Sequence, residues 1–208
     1  ERRSNSVTAS LRGFPATEFK ARTHRAQDLM AQEGLDALLL TTEPEVRYYT
    51  GFLTRFWESP TRPWFVVIPR RGDPIAVIPS IGAHLMRQTW ISDIRVWQAP
   101  NYADDGISLL ISTLAEVTPK VASIGIADQM ESHLRMPFAD FRRLERTLAP
   151  REITSDQCIT RRLRLVKSDA EIAKIRVTTA IADRAFDRVG EIAKAGTPLS
   201  QVFRDFQR

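Results

Sequence analysis

The stretch WFVVIPRRGDPIAVI, residues 64–78, decides the fold of this chain. Two apolar runs, at 64–68 and 75–78, flank the polar turn RRGDP at 70–74. Short apolar runs rich in β-branched residues predict strands, and a brief turn containing Gly and Pro between them is typical of an antiparallel hairpin. The sequence therefore predicts a β-sheet that contains at least one antiparallel pair.

Helical and strand patterns alternate on both sides of this hairpin. Upstream, Thr17 can cap a long helix that Gly34 ends, residues 37–40 read as a strand buried on both faces, and residues 43–49 can form a short helix. Downstream, the pattern predicts helices at about 81–89, 107–117 and 137–148, and strands at about 94–97, 123–126 and 151–154. This alternation predicts an α/β layer structure with a mixed sheet flanked by helices.

The chain changes character near residue 168. Ser168 followed by Glu171 is a capping box, and one apolar face then continues at helical spacing as far as Ala193. Pro198 begins another helix, whose apolar pattern is still running at Arg208, so we expect the natural protein to continue. The predicted division is a flexible leader at 1–15, one domain at 16–160, and a linker with the first helices of a truncated second domain at 161–208.

The positive charge of the chain is local. The formal net charge is +5, yet residues 161–208 hold 11 basic and 6 acidic residues, whereas the first 160 residues hold 19 of each. A nucleic-acid-binding protein would carry its basic patch on the folded body, interleaved with exposed aromatic residues, so we expect no nucleic-acid partner. The basic run could contact an acidic partner, but we interpret it as a linker facing acidic residues of a further domain, because charge runs usually lie on solvated faces. It comprises Arg161, Arg162, Arg164 and Lys167.

Several simpler features bear on location and metal binding. No apolar run approaches the roughly 20 residues of a membrane span, and the N-terminus lacks the apolar segment of a signal peptide. The single cysteine, Cys158, cannot form an internal disulfide and is interpreted as a small core residue. We therefore expect a soluble, cytoplasmic protein without a membrane partner. His24, His84 and His133 show no metal-ligand spacing, so structural roles are predicted for them.

Two motifs carry a resemblance to a known family. RYYTGF at 47–52 resembles the Tyr-x-Thr/Ser-Gly-Phe signature of creatinase/prolidase N-terminal domains, and GLDALLL at 34–40 is similar to that family's first helix-to-strand junction. RLRLVKSDAEI at 162–172 is similar to the Arg-x-x-Lys-Ser-x-x-Glu-Ile start of the pita-bread catalytic domain. The resemblance covers about residues 16–208. It implies a three-layer N-terminal domain followed by the first helices of a truncated pita-bread α+β domain.

The resemblance also implies a function. In this family a dinuclear site of two Asp, one His and two Glu holds two divalent ions, Mn, Co or Zn, which generate hydroxide and polarise the scissile carbonyl. Those ligands would lie beyond Arg208, so no metal and no catalytic residue is expected in this chain, which should be inactive alone. It would be the non-catalytic part of a dimeric metallopeptidase, an Xaa-Pro aminopeptidase or prolidase-like hydrolase acting on a peptide or small amide. Two alternatives stay open: a creatinase- or ectoine-hydrolase-like C–N hydrolase, and a non-catalytic peptide-binding module.

The segment FLTRFWESPTRPW, residues 52–64, is too aromatic for an ordinary solvated connection. Loops on rigid scaffolds often carry recognition, and in dimeric relatives this loop reaches the other subunit's active site. The resemblance therefore implies a set of candidates for binding substrate in the partner's pocket. They are Arg55, Phe56, Trp57 and Arg62. An Arg fork can bind a carboxylate, and an indole face can pack on a proline ring or a cation. The alternative is that Phe56 and Trp57 fill a dimer interface or the domain's own core.

Overall fold

The computed structural model describes residues 13–59 and 62–207, and these fall into two compact units divided between Val166 and Lys167. The predicted leader at 1–15 lies outside the described residues except for 13–15. In the first unit the elements are α1 (Ala16–Glu33), β1 (Ala37–Leu40), α2 (Glu43–Thr50), β2 (Phe65–Pro69), β3 (Ile75–Pro79), α3 (Ala83–Met86), β4 (Asp93–Trp97), α4 (Ile107–Val117), β5 (Ser123–Ile126), α5 (Phe138–Leu148), β6 (Glu152–Ser155) and α6 (Ile159–Leu165). Short 3-10 helices lie at Arg55–Glu58 and Ser80–Gly82. The second unit contains α7 (Asp169–Asp187), α8 (Val189–Ile192) and α9 (Leu199–Phe206).

The first unit is built on a mixed sheet of six strands in the order β4-β3-β2-β1-β5-β6. The predicted hairpin is confirmed: β2 and β3 pair antiparallel, with Phe65 opposite Val77 and Val67 opposite Ile75. β1 also pairs antiparallel with β2, whereas the pairs β3–β4, β1–β5 and β5–β6 are parallel. The predicted α/β fold with a mixed sheet is therefore confirmed.

Every residue of β1, β2 and β3 is buried, because helices cover both faces of the sheet. Val66 and Ile68 face one side, where they pack with Met30 of α1, Val46 of α2 and Ile159 of α6. The alternate residues of the same strand, Phe65 and Val67, belong to the opposite core, which is completed by α4 and α5. Strands buried on both faces read as continuous apolar runs, and this is why the sequence alone revealed them. The predicted three-layer arrangement follows.

Two helices of the first unit differ from the prediction. Thr17 does not cap α1: the helix begins after Pro15, whose extended backbone sits at the N-cap position with no side-chain cap. The helix predicted at 81–89 is also shorter, because a 3-10 turn occupies Ser80–Gly82 and α3 itself spans one turn. Gly82 packs directly against Trp64, and a Cβ added there would lie 2.2 Å from its Cζ3 atom. A glycine at this position therefore permits the close approach of backbone and indole ring.

The segment after β6 is helical, since α6 spans Ile159–Leu165. Asp156 is buried and accepts hydrogen bonds from the N–H groups of Cys158 (3.0 Å) and Thr160 (3.1 Å), which caps α6. Cys158 is half-buried and has a φ of 60°, so its interpretation as a core residue is wrong, and the fully buried residue here is Ile159. The domain boundary proposed at residue 160 stays a prediction.

The second unit begins with the predicted capping box. The N–H of Glu171 donates to Ser168 Oγ (3.2 Å), and the N–H of Ser168 donates to the Glu171 carboxylate (2.9 Å). The prediction that one helix continues to Ala193 is wrong, because α7 ends at Asp187 and the short α8 follows. Gly190 lies just after this break, and glycine disfavours a helix interior.

Candidate functional site

The RYYTGF motif forms the last turn of α2 and its exit. The Thr50 hydroxyl donates to the carbonyl of Val46 (2.6 Å) and accepts a hydrogen bond from the N–H of Phe52 (3.0 Å). Gly51 takes the left-handed conformation with a φ of 76°, and a Cβ there would lie 2.7 Å from the Phe19 ring. Thr-Gly-Phe is thus a helix-ending device, since a small hydroxyl and a glycine together turn the chain out of α2. It starts the aromatic segment that follows.

That segment, the aromatic loop, comprises the described residues 53–59 and 62–64. It begins with the 3-10 turn at Arg55–Glu58, where Thr54 Oγ1 accepts a hydrogen bond from the N–H of Phe56 (3.2 Å). The loop closes on Trp64, which is fully buried at the start of β2. Side chains of the loop pack around this residue.

Three aromatic rings pack around Trp64. The ring centroid of Phe52 lies 5.4 Å from that of Trp64, that of Trp57 lies 5.9 Å away, and Phe56 stacks at 6.2 Å with planes 26° apart. Among the described residues neither Trp57 nor Trp64 offers its indole N–H to an acceptor. Aromatic packing, and not hydrogen bonding by the indoles, therefore holds the loop against the sheet.

Arg135, in the segment before α5, makes several polar contacts with the loop. Its guanidinium donates to the carbonyl oxygens of Trp57 (3.4 Å), Ser59 and Arg62, and its carbon lies 5.0 Å from the centroid of the Trp57 ring. The N–H of Arg135 donates to Thr41 Oγ1 (3.1 Å), just after β1. Nothing in the sequence pattern singled out Arg135, because its partners lie more than 70 residues earlier in the chain.

The four predicted substrate-binding residues occupy different environments. Arg55 is exposed, and Phe56 is 39% exposed with its other side on Trp64. Trp57 is buried between Trp64 and Arg135. Arg62 is half-buried and lines a cleft. Their role in substrate binding stays a prediction.

The cleft has a volume of about 450 Å³ and lies between the aromatic loop and the segment before α5. Its lining is Arg62, Pro63, His133, Leu134, Arg135, Met136 and Pro137. This set contains two guanidinium groups and no carboxylate. The cleft therefore suits a group with an acceptor or a negative charge and an apolar body.

Burial shifts the pKa of several groups near this site. Desolvation lowers the pKa of Arg135, and the charge of Glu43 opposes that shift. Burial raises the pKa of Glu45 above its usual range although its carboxylate accepts hydrogen bonds from the N–H groups of Thr42 (3.2 Å) and Thr41 (3.4 Å). Burial also raises the pKa of the Tyr49 phenol. Glu45 and Arg135 both contact Thr41, the residue that follows β1.

The described histidines and acidic residues do not assemble a metal site. Within residues 13–59 and 62–207, no three His, Cys, Asp or Glu side chains are grouped so that they could hold a metal ion. His24, His84 and His133 are exposed and lie on separate parts of the first unit. The described part of this chain therefore does not fit the two metal ions that the resemblance implies.

The basic run after residue 160 lies mostly on α6. Arg162 forms an ion pair with Glu33 at the end of α1, with 3.2 Å between the charged atoms. One member of the run is thus used within the first unit. Among the helices that the structure describes, none has the length and apolar content required to cross a lipid bilayer.

Comparison with known proteins assigns the first unit to a family model. The model described as the Creatinase/Prolidase N-terminal domain matches residues 22–166. Curated relatives include the Probable dipeptidase PepE of Mycobacterium bovis and of Mycobacterium tuberculosis, each 26% identical over 194 residues. These alignments cover 93% of this chain and 48% of the relatives. The chain therefore spans about half the length of the curated relatives it matches.

Solved structures share the fold. The dipeptidase PepE of Mycobacterium ulcerans superposes with a TM-score of 0.71 at 24% identity, covering 93% of this chain and 49% of that one. The recombinant prolidase of Thermococcus sibiricus gives 0.74 at 18% identity with the same coverage. The Xaa-Pro dipeptidase of Bacillus anthracis gives 0.68 at 17% identity, covering 90% of this chain and 47% of that one.

Proposed function

This chain belongs to the creatinase/prolidase N-terminal domain family, and on that premise we propose that it is the non-catalytic part of a metal-dependent Xaa-Pro peptidase. The observation that carries the proposal is the family match over residues 22–166 in a chain that spans about half of its dipeptidase relatives. The names of the structural neighbours, a prolidase and an Xaa-Pro dipeptidase among them, support the same class of reaction.

In this proposal the catalytic metals are held outside the 208 residues. The described residues offer no group of three ligands, whereas two ions that polarise a scissile amide need several carboxylate or imidazole ligands. The metals, Mn, Co or Zn, would therefore be bound by a following catalytic domain. The part of the chain described here would contribute scaffold and recognition but no reacting group.

The aromatic loop is the proposed recognition element. Arg55 and Phe56 are exposed, and Arg62 lines a cleft without a carboxylate, so together they can bind the acceptor groups and the apolar body of a short peptide. Trp57 would support the loop from beneath, because it is buried under Arg135. Homodimerisation belongs to the same proposal, with the loop facing the other subunit's site. A cytoplasmic location is also proposed, and the single cysteine of the chain supports it.

The test compares the 208-residue chain with the complete natural protein. Both are incubated with Mn²⁺ and an Xaa-Pro dipeptide, and release of proline is measured. We expect turnover by the complete protein, loss of that turnover with EDTA, and none by the 208-residue chain. Turnover by the 208-residue chain alone would contradict the non-catalytic role, and a complete protein that binds the dipeptide without cleaving it would favour a binding module.

A further inference from the structure

We infer that Arg135 is a positioning residue of the aromatic loop, and that its guanidinium fixes the loop backbone at Trp57, Ser59 and Arg62 and so presents Arg55 and Phe56. The inference stands on the contacts of Arg135 with three carbonyl oxygens and one indole face. Its consequence for substrate binding rests on the function proposed above, but the contacts themselves do not.

The loop also has local polar contacts: Thr54 Oγ1 accepts from the N–H of Phe56, and the N–H of Ser59 donates to the carbonyl of Phe56 (3.2 Å). Both bonds close a single turn. Arg135 contributes the contacts from a distant part of the chain, and its carbonyl partners lie on both sides of residues 60–61.

The geometry suits arginine in particular. A guanidinium is planar and carries five donors in a fixed fork, so it can serve several carbonyl oxygens while one face lies on an aromatic ring. Arg135 does both, since its carbon is 5.0 Å from the Trp57 centroid. A lysine at this position would keep the charge but would present a single compact ammonium, which cannot reproduce this set of contacts.

Arg135 is itself anchored to the scaffold. Its N–H donates to Thr41 Oγ1, and Thr41 is buried immediately after the central strand β1. Two sets of contacts therefore link the sheet to the loop. Thr41, at the end of β1, binds the backbone of Arg135, and the side chain of Arg135 binds the backbone of the loop. Rigid elements position functional loops in this way, through residues whose own location is fixed by the core.

The test measures amide hydrogen exchange by mass spectrometry on the 208-residue chain. Arg135→Met removes every donor and keeps an unbranched stem, whereas Arg135→Lys keeps the charge. The matched control is Arg151→Met, because Arg151 is also half-buried and donates to the carbonyls of Ala115 (3.0 Å) and Thr118 (3.2 Å) at the end of α4. Peptides covering 65–69 in β2 report in every sample whether the core remains folded.

We expect exchange in peptides covering 53–59 to rise at least about tenfold in Arg135→Met, as loss of hydrogen bonds from a charged donor implies. Arg135→Lys should resemble Arg135→Met, and the β2 peptides and the Arg151→Met chain should exchange as wild type does. Unchanged exchange at 53–59 in Arg135→Met, or an equal rise in Arg151→Met, would overturn the inference. If exchange in the β2 peptides also rises in Arg135→Met, Arg135→Lys replaces it in the test. Exchange at 53–59 in Arg135→Lys is then compared with wild type and with Arg151→Met in the same way.

A second arm separates this inference from the proposed function. In the complete protein, Arg135→Met should raise KM for an Xaa-Pro dipeptide and change kcat less, because a loosened loop weakens binding and leaves the metal site intact. Faster exchange with an unchanged KM would uphold Arg135 as the positioning residue and refute the loop's role in substrate binding. Unchanged exchange refutes the positioning role whatever KM does.

Discussion

The two units of the chain differ in what their apolar side chains contact. In the first, residues such as Leu38, Val66 and Ile78 are fully buried between the sheet and its covering helices. In the second, the helices carry regular apolar positions, yet Phe186 and Phe203 are 66% and 61% exposed, and no described residue of α7, α8 or α9 is buried. Helical spacing therefore specifies an apolar face, but only a second layer turns that face into a core.

The largest expected effect comes from a matched pair of leucine truncations. Leu38→Ala removes a side chain that is 0% exposed in β1, and should lower the free energy of unfolding by about 2–5 kcal/mol. Leu199→Ala makes the same change at a residue that is 82% exposed in α9, and should cost less than about 0.5 kcal/mol. Urea unfolding followed by circular dichroism measures both. Equal losses in the free energy of unfolding for the two variants would contradict this difference between the units.

A pair of glycine substitutions should give effects of opposite sign. Gly82→Ala places a Cβ against the Trp64 ring and should destabilise the chain by about 1–3 kcal/mol, as overpacking of a core does. Gly190→Ala meets nothing within 4 Å on α8 and should stabilise it by about 0.5–1 kcal/mol, because alanine favours a helix. Thermal unfolding monitored for both variants tests the pair. A Gly82→Ala chain as stable as wild type would show that the indole moves aside freely.

The second unit should depend more on local helix chemistry than on packing. Ser168→Ala removes the side chain that accepts from the N–H of Glu171 and should cost about 1 kcal/mol of local stability. Amide exchange at 169–172 should then accelerate by about fivefold, while exchange in β1 stays as in wild type. Conserved protection at 169–172 would indicate that packing, and not the cap, stabilises the start of α7.

The smallest expected effect is electrostatic, and it too distinguishes the units. The described groups with shifted pKa values all lie in the first unit: Glu45, Tyr49, Arg95, Glu116, Arg135 and Asp140. Burial raises the pKa of Glu45, so the folded state favours the neutral carboxyl. This preference contributes to stability at pH values below the ordinary pKa of 4.5, and the contribution is lost as the pH rises through the raised pKa of the folded state.

Glu45→Gln should therefore gain stability relative to wild type as pH rises from 4.5 to 7.5, since the amide keeps the neutral form at every pH. Glu116→Gln is the control of opposite sign. Hydrogen bonding to Arg95 lowers the pKa of Glu116, so that carboxylate stabilises the fold at neutral pH and loses its contribution as pH falls. Denaturant midpoints at several pH values measure how the stability of each variant, relative to wild type, changes with pH. Changes in the same direction for the two variants would refute the opposite pKa shifts of Glu45 and Glu116.

Much of the fold was readable from local patterns, and the parts that were not depend on distant contacts. The hairpin at 64–78 and the capping box at Ser168 were predicted because their signals lie within a few residues of each other. The break after Asp187 was missed, since apolar spacing alone does not show that Gly190 disfavours a helix. The close approach of Trp64 to Gly82, in the 3-10 turn before α3, is a contact that no local pattern shows.

The candidate site shows the same limit. The sequence marked residues 52–64 by their aromatic content, which was enough to find the loop. It did not distinguish the buried Trp57 from the exposed Arg55, because Trp57 is buried by contacts with Arg135 and Trp64 that only the folded chain brings together. Composition can thus locate an aromatic loop, but the division of its residues into buried and exposed ones is a property of the folded chain.

We propose that the first unit presents the aromatic loop to a substrate bound by a catalytic part of the protein. The decisive measurement is steady-state kinetics of the complete protein with an Xaa-Pro dipeptide, comparing Arg55→Ala with Arg142→Ala, in which the substituted arginine is an exposed residue of α5. We expect KM to rise about tenfold in Arg55→Ala with kcat nearly unchanged, and Arg142→Ala to behave as wild type. An unchanged KM in Arg55→Ala would contradict it.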